Sequence, residues 1–190
     1  MQTREEALAL LKKYNPSEAL VKHGLTVEAV MREFARQAGE DEDYWGMVGL
    51  LHDVDYEQWP QEHCKKAPEL LAQAGYDQDF IHAVVSHGYG LVVDVKPEKY
   101  MEKVLYTIDE LSGLVTATAI MRPSKSVLDL EPKSVKKKFK DKHFAAGVNR
   151  EVVLSGCEML GVTLDEVLQG VIAGMRTAAQ TLGLAGNPPV

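Results

Sequence analysis

The chain has 190 residues, 45% apolar and 26% charged, with a formal net charge of −7. That is the profile of one soluble globular domain large enough to bury its own core. The acidic balance argues against non-specific nucleic-acid or membrane binding by the whole surface, although a local basic patch is compatible with it.

Glu5 to Tyr14 has helical periodicity, with Ala7, Leu8, Leu10 and Leu11 apolar among charged neighbours. Asn15-Pro16 ends that helix and is expected to start the next, Asn15 as N-cap and Pro16 at the first helical position. The second helix runs to about Gln37 and stops at Gly39. Its apolar stripe is Leu20, Val27, Val30 and Phe34, and His23 lies on the same stripe. Asp41-Glu42-Asp43 opens a third helix with acids that suit the dipole. This helix carries Trp45, Met47, Val48, Leu50 and Leu51 inward and ends near His52-Asp53. Asp55 to Glu62 reads as a loop broken by Pro60. Helices are then expected over His63–Ala74, with Gly75 as cap, and over Asp77–His87, before Gly88-Tyr89-Gly90.

Leu91 to Val95 is a short β-like run, too isolated to make a sheet. Pro97 is expected to open the longest helix, continuing to about Met121. Leu105, Ile108, Ser112 and Val115 share one of its faces, with Asp109 beside Leu105. A basic stretch follows from Lys133 to Lys142. Two more helices are expected over Asn149–Leu160 and Thr163–Leu182, the latter opened by a Thr163/Glu166 capping box. The tail Gly186-Asn187-Pro188-Pro189 reads as loose. The fold class is all-α.

Only Cys64 and Cys157 are present, giving neither a disulfide framework nor a Cys-x-x-Cys zinc pair. The N-terminus lacks the apolar core of a signal peptide, and no apolar run has the length of a membrane span. A cytoplasmic location with reduced thiols is expected.

The chemistry gathers around His52-Asp53. Burying an imidazole next to a carboxylate is costly unless each has a partner, and a cation partners both. His23, His52, Asp53, His63, His87 and Asp109 fall on, or at the ends of, different helices, apart from the adjacent pair. Inward side chains from several helices can build a metal site. Six N/O donors exceed the need of one tetrahedral zinc. They suit one octahedral ion or two ions bridged by a carboxylate, with Asp53 the natural bridge.

His23, then His52-Asp53, then Asp109 resemble the ordered H…HD…D signature of the HD-domain superfamily of metal-dependent phosphohydrolases. His63 in Glu62-His63-Cys64 and His87 in Ser86-His87-Gly88 look like the extra ligands of the two-metal subset. The resemblance implies an all-α HD-domain bundle with additional C-terminal helices: one domain over 1–185, an HD core at about 18–120 and an extension at about 121–185. It also implies one or two divalent transition metals (Mn, Fe, Ni, Co or Zn). The expected activity is hydrolysis of a phosphate ester or anhydride, commonly a nucleotide, by metal-activated water at Asp53 and His52. A few superfamily members with the same six ligands hold two irons and perform oxygenation. A third reading is a nucleotide- or metal-binding module without turnover.

The sequence departs from the HDIG subgroup: Val54-Asp55-Tyr56 follows the pair, without the subgroup's Gly and Lys. Gly88-Tyr89-Gly90 is not the Gly-Tyr-Pro of cyclic-dinucleotide phosphodiesterases. Asp55, Arg122, Lys125 and Lys133 are candidates for gripping a small anionic substrate. The plainer reading of the basic stretch is a solvated helix face. Arg122-Pro123-Ser124-Lys125-Ser126 and the lysines after it resemble a segment of small bacterial HD-domain proteins. His82 and His143 read as structural or surface residues, and Cys64 as a packed thiol.

Overall fold

The computed structural model describes residues 2–186. Among them are ten α-helices and no strand. The helices are α1 (Arg4–Tyr14), α2 (Glu18–Ala38), α3 (Glu42–Leu51), α4 (Ala67–Gln73), α5 (Gln78–Val85), α6 (Tyr100–Ile120), α7 (Pro132–Lys140), α8 (Arg150–Leu160), α9 (Leu164–Thr177) and α10 (Ala179–Leu182). None is long and apolar enough to cross a membrane. Residues 187–189 of the expected loose tail lie outside the described residues.

The long helices α2 and α6 form the frame. α2 packs against α3 most extensively and also against α9 and α6, while α6 carries α8 on another side. Val27, Val30, Leu50, Leu51, Leu105, Ile108 and Leu168 are buried in one shared hydrophobic cluster. Burying such side chains stabilises the fold by about 1.5–3 kcal/mol each. α2 and α3 approach closely at Gly49, where a Cβ would meet Met31 Cγ at 2.8 Å and the Val27 carbonyl oxygen at 3.0 Å. Only glycine permits that separation, and it draws His23 on α2 toward His52 at the end of α3.

Several boundaries differ from the sequence reading, each because a side chain reaches across the fold. Asn15 does not cap α2. It is buried, donates Nδ2 to the Leu11 and Val54 carbonyls, and accepts the Glu57 N–H. Ser17 is the N-cap instead. α4 starts at Ala67 rather than His63, because the Asp55 carboxylate accepts the Ala67 N–H at 2.8 Å. α6 starts at Tyr100 rather than Pro97, because buried Glu102 accepts the Glu98 and Lys99 N–H groups at 2.6 and 2.9 Å. Leu91–Val95 forms only a single bridge between Tyr89 and Val93. The expected last helix is broken at Ala178 into α9 and α10. The Gly39 stop and the Thr163/Glu166 box stand as read, and Asp41 of the acidic run proves to be the N-cap of α3.

Candidate metal centre

Five elements converge on one point. α2 supplies His23. The two residues directly after α3 are His52, its C-cap, and Asp53, and the middle of α6 supplies Asp109. His63 comes from the irregular turn before α4. His87 comes from a 3₁₀ turn, Ser86–Gly88, that continues α5. The α5 apolar face (Phe80, Ile81, Val84, Val85) anchors that turn in the core.

Nε2 of His52 lies 3.2 Å from Nε2 of His23 and 3.3 Å from Asp109 Oδ1. Nε2 of His63 lies 3.2 Å from Nε2 of His87. The Asp53 carboxylate stands between the two pairs. Its Oδ2 is 3.3 Å from His52 Nε2 and 3.7 Å from His23 Nε2, and its Oδ1 is 3.4 Å from His63 Nε2 and 3.7 Å from His87 Nε2. Asp53 is thus placed to bridge two half-sites.

Tautomers follow from the other ring nitrogens. His52 Nδ1 donates to the Gly49 carbonyl at 2.7 Å, His87 Nδ1 to the Val84 carbonyl at 2.6 Å, and His63 Nδ1 to Asp55 Oδ1 at 2.8 Å. Carbonyls and carboxylates accept, so each of these neutral rings presents an Nε2 lone pair to the cluster. Lone pairs 3.2 Å apart, ringed by carboxylates, repel unless a cation sits among them. This donor set, imidazole and carboxylate with outer hydrogen bonds fixing the rings, fits a divalent transition metal.

Without metal, the cluster satisfies itself with protons. Burial alone would lower the His52 pKa, but the Asp53 and Asp109 charges outweigh it and push the ring up to about 10. His63, against the same burial effect, is raised to about 9 by its bonds to Asp55 and Cys64. His87 is likewise raised well above the ordinary value. Burial opposes ionisation of Asp53 and Asp109, yet the neighbouring imidazoles hold both well below the usual carboxylate range.

The cluster forms the floor of a cavity of about 370 Å³. Its walls are apolar or aromatic: Leu20, Leu91, Val92, Tyr106, Val148 and Val152, with Tyr56 edge-on to His63. Glu110, whose pKa is raised by burial, lies on the same wall and accepts the Asn149 N–H. Among the described residues lining the cavity there is no lysine or arginine.

The proposed substrate grips are therefore not brought to the floor. Arg122 is turned away onto Asp129, at 2.7 Å from its carboxylate and 3.1 Å from its carbonyl. Lys125 is exposed in a turn, and Lys133 pairs with Glu131 on the exposed side of α7. The Lys-rich stretch is a solvated helix face whose inward residue is Val135. Asp55 is fully buried behind His63 and serves to orient that ring. His82 donates to Glu102 near the start of α6.

Two residues escaped the sequence reading. Arg150 donates to the carbonyls of Phe139, Asp141, Phe144, Ala145 and Val148, fastening the loop that ends in the cavity wall. Its acceptors are backbone oxygens, so no partner residue marks it. Cys64 is buried, in the left-handed region at φ 63°, with Sγ directed at the His63–His87 pair. Its adjacency to His63 was the available signal.

Neither a curated protein nor a solved structure matches the chain. A family model described as HD domain matches residues 20–116, a span that contains all six of the converging His and Asp residues. The chain belongs to the HD-domain superfamily of metal-dependent phosphohydrolases.

Proposed function

We propose that the protein is a metal-dependent phosphohydrolase that cleaves a phosphate ester or anhydride of a small molecule, with nucleotides the first class to test. One observation carries this reading. Imidazole lone pairs face one another across a carboxylate at the floor of an open cavity, in the residue order of the family. Divalent cations bound there would lower the pKa of a water and offset charge on the phosphoryl oxygens.

The residues divide the work. His23, His52 and Asp109 form one half-site, and His63 and His87 the other. Asp53 spans both and fixes their separation. Gly49, Val84 and Asp55 hold the rings with their lone pairs inward. The apolar walls exclude bulk water and receive the part of the substrate that is not phosphate. Among the described residues no lysine or arginine lines the cavity, so phosphate affinity of the loaded protein comes from the metals.

The test is a panel of nucleotides and simple phosphomonoesters, assayed for released phosphate after loading with Mn, Fe, Ni, Co or Zn. Turnover with one metal and one substrate, abolished by Asp53→Ala, is expected. Metal binding with oxygen consumption and no phosphate release would instead support the oxygenase reading. Metal binding with tight nucleotide capture and no conversion would support a binding module.

A further inference from the structure

We propose that Cys64 is a metal ligand, forming with His63 and His87 a three-donor half-site that selects a thiophilic cation such as zinc or cobalt. The inference rests on the metal-binding reading of the cluster and changes its chemistry.

The spacing of the donors is the first argument. Donors set tetrahedrally about 2.0–2.1 Å (N, O) and about 2.3 Å (S) from one ion lie about 3.3–3.6 Å from each other. Cys64 Sγ lies 3.5 Å from His63 Nε2 and 3.7 Å from His87 Nε2. The two imidazole nitrogens are 3.2 Å apart, and Asp53 Oδ1 is 3.4 and 3.7 Å from them. His63, Cys64 and His87 thus form one group of three donors spaced closely enough to share an ion.

The second argument is independent of the cysteine. His87 is 5% exposed, and its Nδ1 proton is committed to the Val84 carbonyl. Its Nε2 therefore points an unshared pair into the cluster, where among the described residues no N–H or O–H donor reaches it; the nearest ring nitrogen, His63 Nε2, is another acceptor.

Space around the sulfur is also specific. A Cβ on residue 88 would come within 2.6 Å of Cys64 Sγ, so Gly88 leaves the room the sulfur occupies. The other half-site, His23, His52 and Asp109, has only N and O donors. The two halves thus differ in softness, and a thiolate favours zinc over manganese. On binding, the Cys64 S–H bond breaks and a metal–sulfur bond forms. One proton leaves to solvent and no electron is transferred.

The experiment uses full-length protein titrated with cobalt(II) and followed by absorption. Because the chain has only two cysteines, Cys157→Ser isolates the thiol in question. A thiolate-to-cobalt charge-transfer band in wild type and Cys157→Ser, absent from Cys64→Ser, is expected. Zinc affinity of the Cys64→Ser protein should fall by at least the about 10–100-fold lost when an outer partner of a ligand is removed. Saturation with cobalt that yields only ligand-field bands would overturn the thiolate while leaving the metal site standing. Failure to bind cobalt at all would overturn both. If Cys64→Ser does not fold, the Cys157→Ser spectrum alone decides.

Discussion

Asp55 Oδ1 accepts the Nδ1 proton of His63 at 2.8 Å, while Oδ2 of the same carboxylate accepts the first N–H of α4. One buried acid thereby sets both the ring that faces the cluster and the place where the helix behind it begins. Asp55→Asn keeps the size but weakens the acceptor that holds the ring. Metal affinity is expected to fall about 10–100-fold, the usual cost of losing such a partner. Isothermal titration with zinc measures it; an unchanged affinity would remove Asp55 from the site's support.

The metal-free protein should respond to pH in a defined way. His52 and His63 are raised to about 10 and about 9 from an ordinary 6.5. Their protonated forms therefore contribute stability that is complete below about pH 6.5 and is lost as pH rises through those folded values. Asp53 and Asp109 are lowered from 3.8, so their contribution is present above that value and is lost as pH falls. Metal competes for the same imidazole lone pairs. The gain in Tm at a fixed excess of zinc is expected to be larger near about pH 8 than near about pH 6. Thermal scans with and without metal at the two values give the comparison, and a gain that shrinks with pH would contradict it.

Gly88→Ala tests the packing around His87 directly. The added Cβ would meet Cys64 Sγ at 2.6 Å and Val92 Cγ2 at 2.7 Å. Overpacking of this kind costs about 1–3 kcal/mol. Chemical denaturation should show a loss in that range together with weakened metal binding. Wild-type values for both would mean the turn relaxes without disturbing His87.

Arg150→Ala should separate the wall from the floor. The guanidinium holds the loop before α8 through backbone carbonyls, none of them from a metal-cluster residue. A stability loss on the order of 2 kcal/mol is expected for a charged donor of this kind. Metal content should stay at the wild-type level while KM rises. A loss of bound metal would show that the loop supports the cluster as well.

Phosphate binding should depend on metal entirely. With no lysine or arginine among the described residues along the cavity, the stripped protein offers an anion only imidazolium groups already paired with Asp53, Asp109 and Asp55. Inorganic phosphate should bind the metal-loaded protein and give no measurable heat after chelation. Binding that survives chelation would point to a cationic grip outside the cavity.

The half of the site on long helices was readable from sequence. His23 and Asp109 announce themselves because a polar side chain on an apolar 3.6-residue stripe has few reasons to be there, and His52-Asp53 ends another such stripe. The half on irregular backbone was less so. His63 looked like the start of a helix because the tie that delays the helix, Asp55 to the Ala67 N–H, joins residues twelve apart through a turn. Cys64 looked inert because periodicity is silent about a residue at positive φ. Leu91–Val95 is β-like in composition but too isolated to make a sheet, and among the described residues it has no partner strand; Leu91 and Val92 stand half-exposed at the cavity mouth. Arg122, Lys125 and Lys133 were candidates on charge alone, and charge does not say where a side chain turns.

The cavity's floor and one of its walls come from different stretches of chain. All six of the converging His and Asp residues fall within 20–116, whereas Gly147 and Val148 come from the loop before α8 and Val152 from α8 itself. Selectivity can therefore be rewritten without touching the reaction machinery. Replacing the segment from 141 to 152 is the economical place to begin retargeting this scaffold to a new leaving group.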